Sequence, residues 1–381
     1  MSYCVYLPKY TQICYNFVYM YSKETPYNDL PVLPPDINYD DVDILKAVNA
    51  TNIALSELKG SAGFLPDQSL LLAPLTLREA VASNGIENIH TTISDVLQAE
   101  VLSETEIRLP EKETLYYREA LLTGLRAIKQ NGKLTYENFI QMQSIIEPEK
   151  KGIREKLENG VVRIKNRTTD EIIYTPPDEK ATIEKLLRNL EEYYNDDAND
   201  IDTTVKASIL HYQFEAIHPF EDGNGRTGRI LMVLYFILRK RLDVPLLFIS
   251  GYILGHRSDY YKLLAEVTEK GNWKEWILFI LKGVEEQALT TRNTVISVKA
   301  LIDEYKDTAQ KNKLPVDVNF VDHLFSNAFY TYNHLSRTLS VHRNTAVTYL
   351  KKLEKAGVLK SMVVKKELVF YYPKFLDVLS R

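Results

Sequence analysis

Apolar residues recur at helical spacing through most of the chain. After Asn38-Tyr-Asp-Asp41, the positions Val42, Leu45, Ala47, Val48, Ile53, Leu55 and Leu58 mark a first helix, and the stretch 60–66 breaks it. The spacing predicts a helix over 70–82, with Pro74 near its first turn, that ends at Ser83-Asn84-Gly85. A further periodic segment is expected over 86–98. A helix over 116–131 closes at Asn131-Gly132, and Thr135 is placed to cap the next one, 136–146. Then the period changes. Val161-Val-Arg-Ile164 and Glu171-Ile-Ile-Tyr174 flank the polar stretch 165–170 and alternate at a period near two, which is a hairpin signal. Thr175-Pro-Pro-Asp178 leads into a helix over 179–194, and a polar loop, 195–202, leads into another over 203–217. The run 230–238 is apolar on all sides and belongs in the middle of a bundle. Helices over 260–267 and 273–284 complete a mainly α body.

Toward the C-terminus, 316–325, 332–339 and 343–356 read as three helices, with Ser340-Val-His342 as a short turn. Gly357 closes the third, and 358–360 with 363–372 form a hairpin. This order resembles a winged helix-turn-helix. At the other end, Tyr3, Tyr6, Tyr10, Tyr15 and Tyr19 crowd together with Cys4 and Cys14. No basic cluster precedes an apolar run there, so a signal peptide is not expected. Residues 1–29 are taken as an extension, 30–110 as an N-terminal helical region, 111–295 as the catalytic core and 311–381 as the winged-helix-like domain.

Length supports such a division, since 381 residues suggest two or three domains. A content of 45% hydrophobic and 26% charged residues excludes wholesale disorder and fibre. No apolar run nears the roughly 20 residues of a membrane helix. Two cysteines cannot build a disulfide framework or a four-cysteine zinc site, and a cytoplasmic setting is expected. The net charge of −4 hides a split: residues 311–381 carry 12 Lys/Arg against 5 Asp/Glu, and the remainder 35 against 46. An acidic body thus carries a basic module, which reads either as a small helical domain with a solvated lysine face or as a part that meets a polyanion.

The densest chemistry lies in His218-Pro-Phe-Glu-Asp-Gly-Asn-Gly-Arg-Thr-Gly-Arg229. Pro219 stops the incoming helix and fixes His218 at its end. A glycine-bearing loop then opens the next helix, where backbone N–H groups and the helix dipole favour an anion. Arg226 and Arg229 fall on one face of that helix as a phosphate clamp. Asp222 is placed for the magnesium that accompanies a polyphosphate, and His218 for taking a proton from an incoming hydroxyl. No Gly-Lys-Ser/Thr follows, and the loop does not follow a strand, so neither a Walker nor a Rossmann loop fits.

The stretch resembles the signature of the Fic family, His-Pro-Phe-x-Asp/Glu-Gly-Asn-Gly-Arg-x-x-Arg, at every fixed position. The resemblance implies a Fic-type helical bundle with a β-hairpin flap. The implied activity is transfer of AMP from ATP to a Ser, Thr or Tyr hydroxyl of a target protein, with release of pyrophosphate. His218 would be the base, Phe220 a core anchor and Asp222 the Mg²⁺ ligand. ATP would meet Gly223, Asn224 (its side chain near the α-phosphate), Gly225, Arg226, Thr227, Gly228 and Arg229. Tyr261 would lie against the adenine, and the hairpin 161–174 would register the target by strand addition. The implied partner is a target protein, the chain itself included. A homodimer and DNA stay open as further partners, and a membrane is not expected.

Ser83-Asn-Gly-Ile-Glu87-Asn88 is similar to the family's inhibitory motif, Ser/Thr-x-x-x-Glu-Gly/Asn. By that likeness Glu87 would pair with Arg229 and hold the donors that the γ-phosphate needs. The same residues also read as a plain helix start, with Ser83 as N-cap and Glu87 in the first turn. Two other functions stay open: a DNA-binding regulator with a nucleotide-sensing Fic part, and a Fic enzyme that phosphorylates, transfers another phosphate-linked group or removes AMP.

Overall fold

The computed structural model describes residues 21–65, 72–101, 107–155, 161–164, 171–198, 200–364 and 366–380, with backbone alone at 3–5, 13–15 and 165. Two backbone strands, β1 (Tyr3–Val5) and β2 (Ile13–Tyr15), pair antiparallel. Helix α1 (Val42–Ala62) starts where the Asp41 carboxylate accepts the N–H groups of Asp43 and Ile44. It is followed by α2 (Leu72–Ile86) and α3 (Ile93–Val101). Next come α4 (Leu109–Asn131), closed by left-handed Gly132, and α5 (Tyr136–Ile146), opened by a Thr135 capping box.

The expected flap appears as β3 (Ile164–Lys165) paired antiparallel with β4 (Ile172–Tyr174), and its tip, 166–170, lies outside the described residues. Helices α6 (Lys180–Asn195), α7 (Thr203–Ile217) and α8 (Asn224–Leu238) follow. Nearly all of α7 and α8 is buried, the polar residues included. Each buried Leu, Ile or Phe there contributes about 1.5–3 kcal/mol, so this pair is the rigid centre on which the motif loop is mounted. Around it lie α9 (Ser250–Gly255), α10 (Arg257–Lys270) and α11 (Trp273–Asn312).

Three expectations are corrected by this arrangement. First, α2 runs through Ser83 to Ile86, so Ser83 is in a last turn and not at an N-cap. Left-handed Asn88 (φ 63°) ends the segment, and Thr92, accepting the Asp95 N–H at 3.1 Å, begins the next helix. One expected segment over 86–98 is therefore a turn followed by α3. Second, residues 21–29, grouped with an extension in the sequence, are bonded to the segment that follows β4. Tyr27 N–H donates to the Thr175 carbonyl (3.0 Å), Thr175 Oγ1 to that of Lys23 (2.6 Å), and Asn28 bonds Asp178 (2.9 Å), so the strap backs the flap. Third, α11 continues for 40 residues where a helix ending near 284 was expected. It runs parallel to α1, with Lys274 on Asp41 and Asp43, Thr51 Oγ1 on the Leu281 carbonyl and Arg292 on Glu57. Its far half buries Val298, Ile302 and Tyr305.

The C-terminal elements are α12 (Val318–Ser326), β5 (Phe329–Tyr330), α13 (Tyr332–Thr338), α14 (Arg343–Lys355), β6 (Lys360–Val364), β7 (Glu367–Tyr371) and α15 (Pro373–Ser380). The sheet order is β5-β7-β6, all antiparallel. Helices α12 and α15 rest on α2, and β5 rests on α3.

Candidate active site

α7 ends at His218 because Pro219 has no N–H to continue the ladder. His218 takes the left-handed conformation (φ 47°, ψ 58°), and its N–H donates to the Phe214 carbonyl at 3.1 Å. Such a backbone costs a non-glycine residue about 1–3 kcal/mol and persists only where neighbours fix it. Arg154 supplies that fixing: its Nε donates to the His218 carbonyl at 2.8 Å and its N–H to the Pro219 carbonyl at 3.0 Å. The imidazole lines a cavity of about 920 Å³. Burial, and then the Arg154 charge, lower its pKa to about 4. At neutral pH the ring is uncharged and able to accept a proton.

The loop after His218 is closed by one side chain. Asn224 Oδ1 accepts the Phe220 N–H (2.9 Å), while its Nδ2 donates to the Phe220 carbonyl (2.8 Å). Phe220 itself is buried against Phe214. Gly223 caps α8 at φ 81°, a conformation that favours glycine. The start of α8 thus faces the cavity, with Gly223, Asn224, Gly225 and Arg226 in its wall. Arg226, almost fully buried, is bound by Glu147 and by Glu113 at 3.4 Å, with Asp222 at 3.7 Å. The Asp222 carboxylate, about half exposed, accepts the Gly223 N–H (2.8 Å) and sits 3.3 Å from Lys150 Nζ.

Arg229 is also buried, and α2 occupies its donors. Nε donates to Ser83 Oγ at 2.8 Å, and one terminal nitrogen donates to the Ser83 carbonyl at 3.2 Å and to Glu87 Oε1 at 3.0 Å. A Cβ added to Gly225 would stand 2.6 Å from that same Glu87 oxygen. The carboxylate therefore lies against the start of α8, where an anion is favoured electrostatically. Across the cavity are Tyr261, with Arg257 5.9 Å over its ring, and Ile164 and Ile173 of the flap.

Comparison with known proteins places this arrangement. The Fic/DOC family model matches residues 133–236, and the Fic/DOC family N-terminal model matches 45–126. A third model, for the C-terminal domain of SoFic-like protein adenylyltransferase, matches 301–375. The chain carries a Fic/DOC domain with the N-terminal region of that family before it. It is 27% identical over 247 residues to protein adenylyltransferase Fic of Drosophila mojavensis, covering 64% of this chain and 44% of that protein. The Aedes aegypti protein of the same name is 29% identical over 249 residues, with the same coverage. The chain thus aligns with less than half the length of these relatives. In fold it is similar to a Fic family protein from Desulfovibrio desulfuricans G20 (TM-score 0.53, 18% identity, 89% of this chain and 98% of that one). A Fic domain containing signaling protein from Bacteroides thetaiotaomicron VPI-5482 is comparable (TM-score 0.52, 17% identity, 66% and 97%).

Within this Fic fold, His218, Asp222, Gly223, Asn224, Gly225, Arg226, Arg229, Glu87 and Tyr261 share one cavity. Thr227 and Gly228 are not in its wall. Thr227 is fully buried, and a Cβ on Gly228 would stand 2.4 Å from Glu215 Oε1 and 3.0 Å from Phe214, so both are packing residues. The Asn224 side chain is occupied by the loop itself, which leaves its backbone N–H as the group at the start of α8. Four residues escaped the sequence reading: Glu113 and Glu147, which hold Arg226, Arg154, which holds His218, and Glu215. Glu215 is buried in the cavity wall, Oε1 finds no partner among the described residues, and burial raises its pKa to about 7. A lone carboxylate one turn before His218, on an otherwise apolar stretch of helix, was the available signal.

Proposed function

We propose that the chain is an autoinhibited protein adenylyltransferase. It transfers AMP from ATP to a Ser, Thr or Tyr hydroxyl of a target protein, itself included. The target oxygen bonds to the α-phosphorus, the bond from that phosphorus to the bridging oxygen breaks, and pyrophosphate leaves with the electron pair. The hydroxyl proton goes to the His218 imidazole. The start of α8, Arg226 and Arg229 neutralise the phosphates, so catalysis rests on positioning and charge. The observation that carries this reading is the convergence of an uncharged imidazole with two buried guanidiniums and a helix start on one cavity.

No cluster of three His, Cys, Asp or Glu fit for a metal occurs among the described residues. Asp222 lines the cavity beside Glu221, and its half-exposed carboxylate at the start of α8 suits Mg²⁺, an ion bound through one or two carboxylates plus phosphates and water. Mg²⁺ would supply charge neutralisation on the phosphates. Glu87 restrains the enzyme by holding Arg229, and the flap edge registers the target. Residues 311–381 are read as a winged-helix domain.

Incubation with ATP labelled at either the α- or the γ-phosphate tests the reaction. Protein-bound label is expected from α-labelled ATP alone. Label retained from the γ-position would replace adenylyl transfer with phosphorylation.

A further inference from the structure

The basic module has a one-sided surface. α14 buries Ala346, Leu350 and Leu353 on one flank. Helical geometry sets Asn344, Thr348, Lys351, Lys352 and Lys355 on the opposite stripe, and all five are exposed. Arg343 opens the same helix, and the β6–β7 hairpin beside it adds exposed Lys360 and Lys366. Among the described residues these six cations meet no carboxylate at ion-pair distance. Two carboxylates lie nearby, Glu354, which accepts a bond from the Ser361 hydroxyl, and half-buried Glu367, so the six cations stay in excess.

The character of the stripe selects its partner. Protein interfaces centre on apolar and aromatic side chains, and this stripe has neither, only cations with an amide and a hydroxyl between them. Single-stranded nucleic acid is held by exposed aromatic platforms. Here Tyr349 packs edge-on against Phe320 at 5.4 Å and lies off the stripe. A helix of 13 residues is about 20 Å long and fits the roughly 12 Å wide major groove of B-DNA. Arg343, Asn344 and Thr348 are side chains that read base edges, and lysines on a flanking hairpin match phosphates. A short turn with left-handed Ser340 (φ 53°) joins α13 to α14.

We infer that α14 and the β6–β7 hairpin form a binding surface for duplex DNA, with α14 in the major groove and the hairpin lysines on the backbone. The inference stands independently of nucleotide transfer.

The test is fluorescence anisotropy of a mixed-sequence duplex of about 30 bp, a length that exceeds the footprint of one module, titrated with the full chain. Five or so phosphate contacts give a slope near −4.5 for log affinity against log salt. This corresponds to a loss of about 500-fold between about 50 and 200 mM salt. Lys351→Glu with Lys352→Glu is expected to weaken binding at least about tenfold and to flatten the slope by about 2 units. Its thermal melt and self-modification should match wild type. His218→Ala should bind DNA as wild type does, so failure of the enzymatic reading would leave this result standing. Three results would overturn the inference: no binding at about 50 mM salt, wild-type affinity in the charge-reversed variant, or equal affinity for the separated single strand.

Discussion

Replacing Glu87 by glycine removes the carboxylate that the residue just past α2 sets on Arg229. In the resting protein Arg229 is held by Ser83 Oγ at 2.8 Å, the Ser83 carbonyl at 3.2 Å and Glu87 at 3.0 Å, with the guanidinium 1% exposed and Glu87 24%. A charge-assisted hydrogen bond of this kind contributes about 1.5–3 kcal/mol, and a phosphate that reaches Arg229 must first displace it. At about 1.36 kcal/mol per decade, its removal raises kcat/KM for ATP by about 10- to 150-fold. Withdrawal of the carboxylate from the start of α8 adds a smaller gain of about 0.3–1 kcal/mol. The gain comes with a loss of stability, because Arg229 remains buried with only Ser83 as a partner. Glu87→Gln separates charge from shape: the amide oxygen still accepts a bond but brings no charge, so its gain falls between wild type and Glu87→Gly. The assay is initial rate of self-labelling against ATP concentration for the three proteins, with thermal melts alongside. Equal kcat/KM in all three would refute the idea that Glu87 competes with the nucleotide.

Further outcomes follow from the same site. His218→Ala, made in the Glu87→Gly background, should lose about 10²- to 10⁴-fold in rate, as for loss of a general base, while circular dichroism stays unchanged. Because burial lowers the imidazole pKa to about 4, the acid limb of kcat/KM should fall near that value and not near 6.5. A limb at 6.5 would place the ring in solvent. Gly228→Ala sets a methyl 2.4 Å from Glu215 Oε1 and should cost about 1–3 kcal/mol, seen as a lower melting temperature, with KM for ATP unchanged. Glu215, with its pKa raised by burial to about 7, binds its proton more tightly folded than unfolded. Its contribution is present at low pH and lost as pH rises from about 4.5 to 7. Urea unfolding of Glu215→Gln should therefore show less loss of stability over that window than wild type.

Much of this site was legible in the sequence because its chemistry is local. Twelve consecutive residues contain His218, the loop glycines and both arginines, and Pro219 and Gly223 announce the helix stop and restart that set their geometry. Helices with strong periodicity and clear caps, such as those opened by Asp41 and Thr135, were equally plain. The misread parts depend on contacts distant in sequence. Thr227 and Gly228 lie inside the motif, but helical geometry turns them toward α7, where Gly228 makes room for Glu215. Glu113 and Glu147 reach Arg226 from α4 and the end of α5, and nothing in their own neighbourhoods marks them. Ser83 was ambiguous because a serine followed by a glutamate suits a helix start. Packing extends α2 through it and makes its hydroxyl and carbonyl partners of Arg229. The bonds of the strap at 21–29 to Thr175 and Asp178 cross some 150 positions and left no mark in the local sequence.

In the proposed reaction the imidazole of His218 accepts the proton of a hydroxyl as AMP is transferred on a cradle that Glu87 blocks. Intact mass after incubation with ATP and Mg²⁺, comparing Glu87→Gly with Glu87→Gly/His218→Ala, tests it most directly. A gain of adenylyl mass is expected in the first protein and none in the second, and the same gain in both would remove His218 from the role of base.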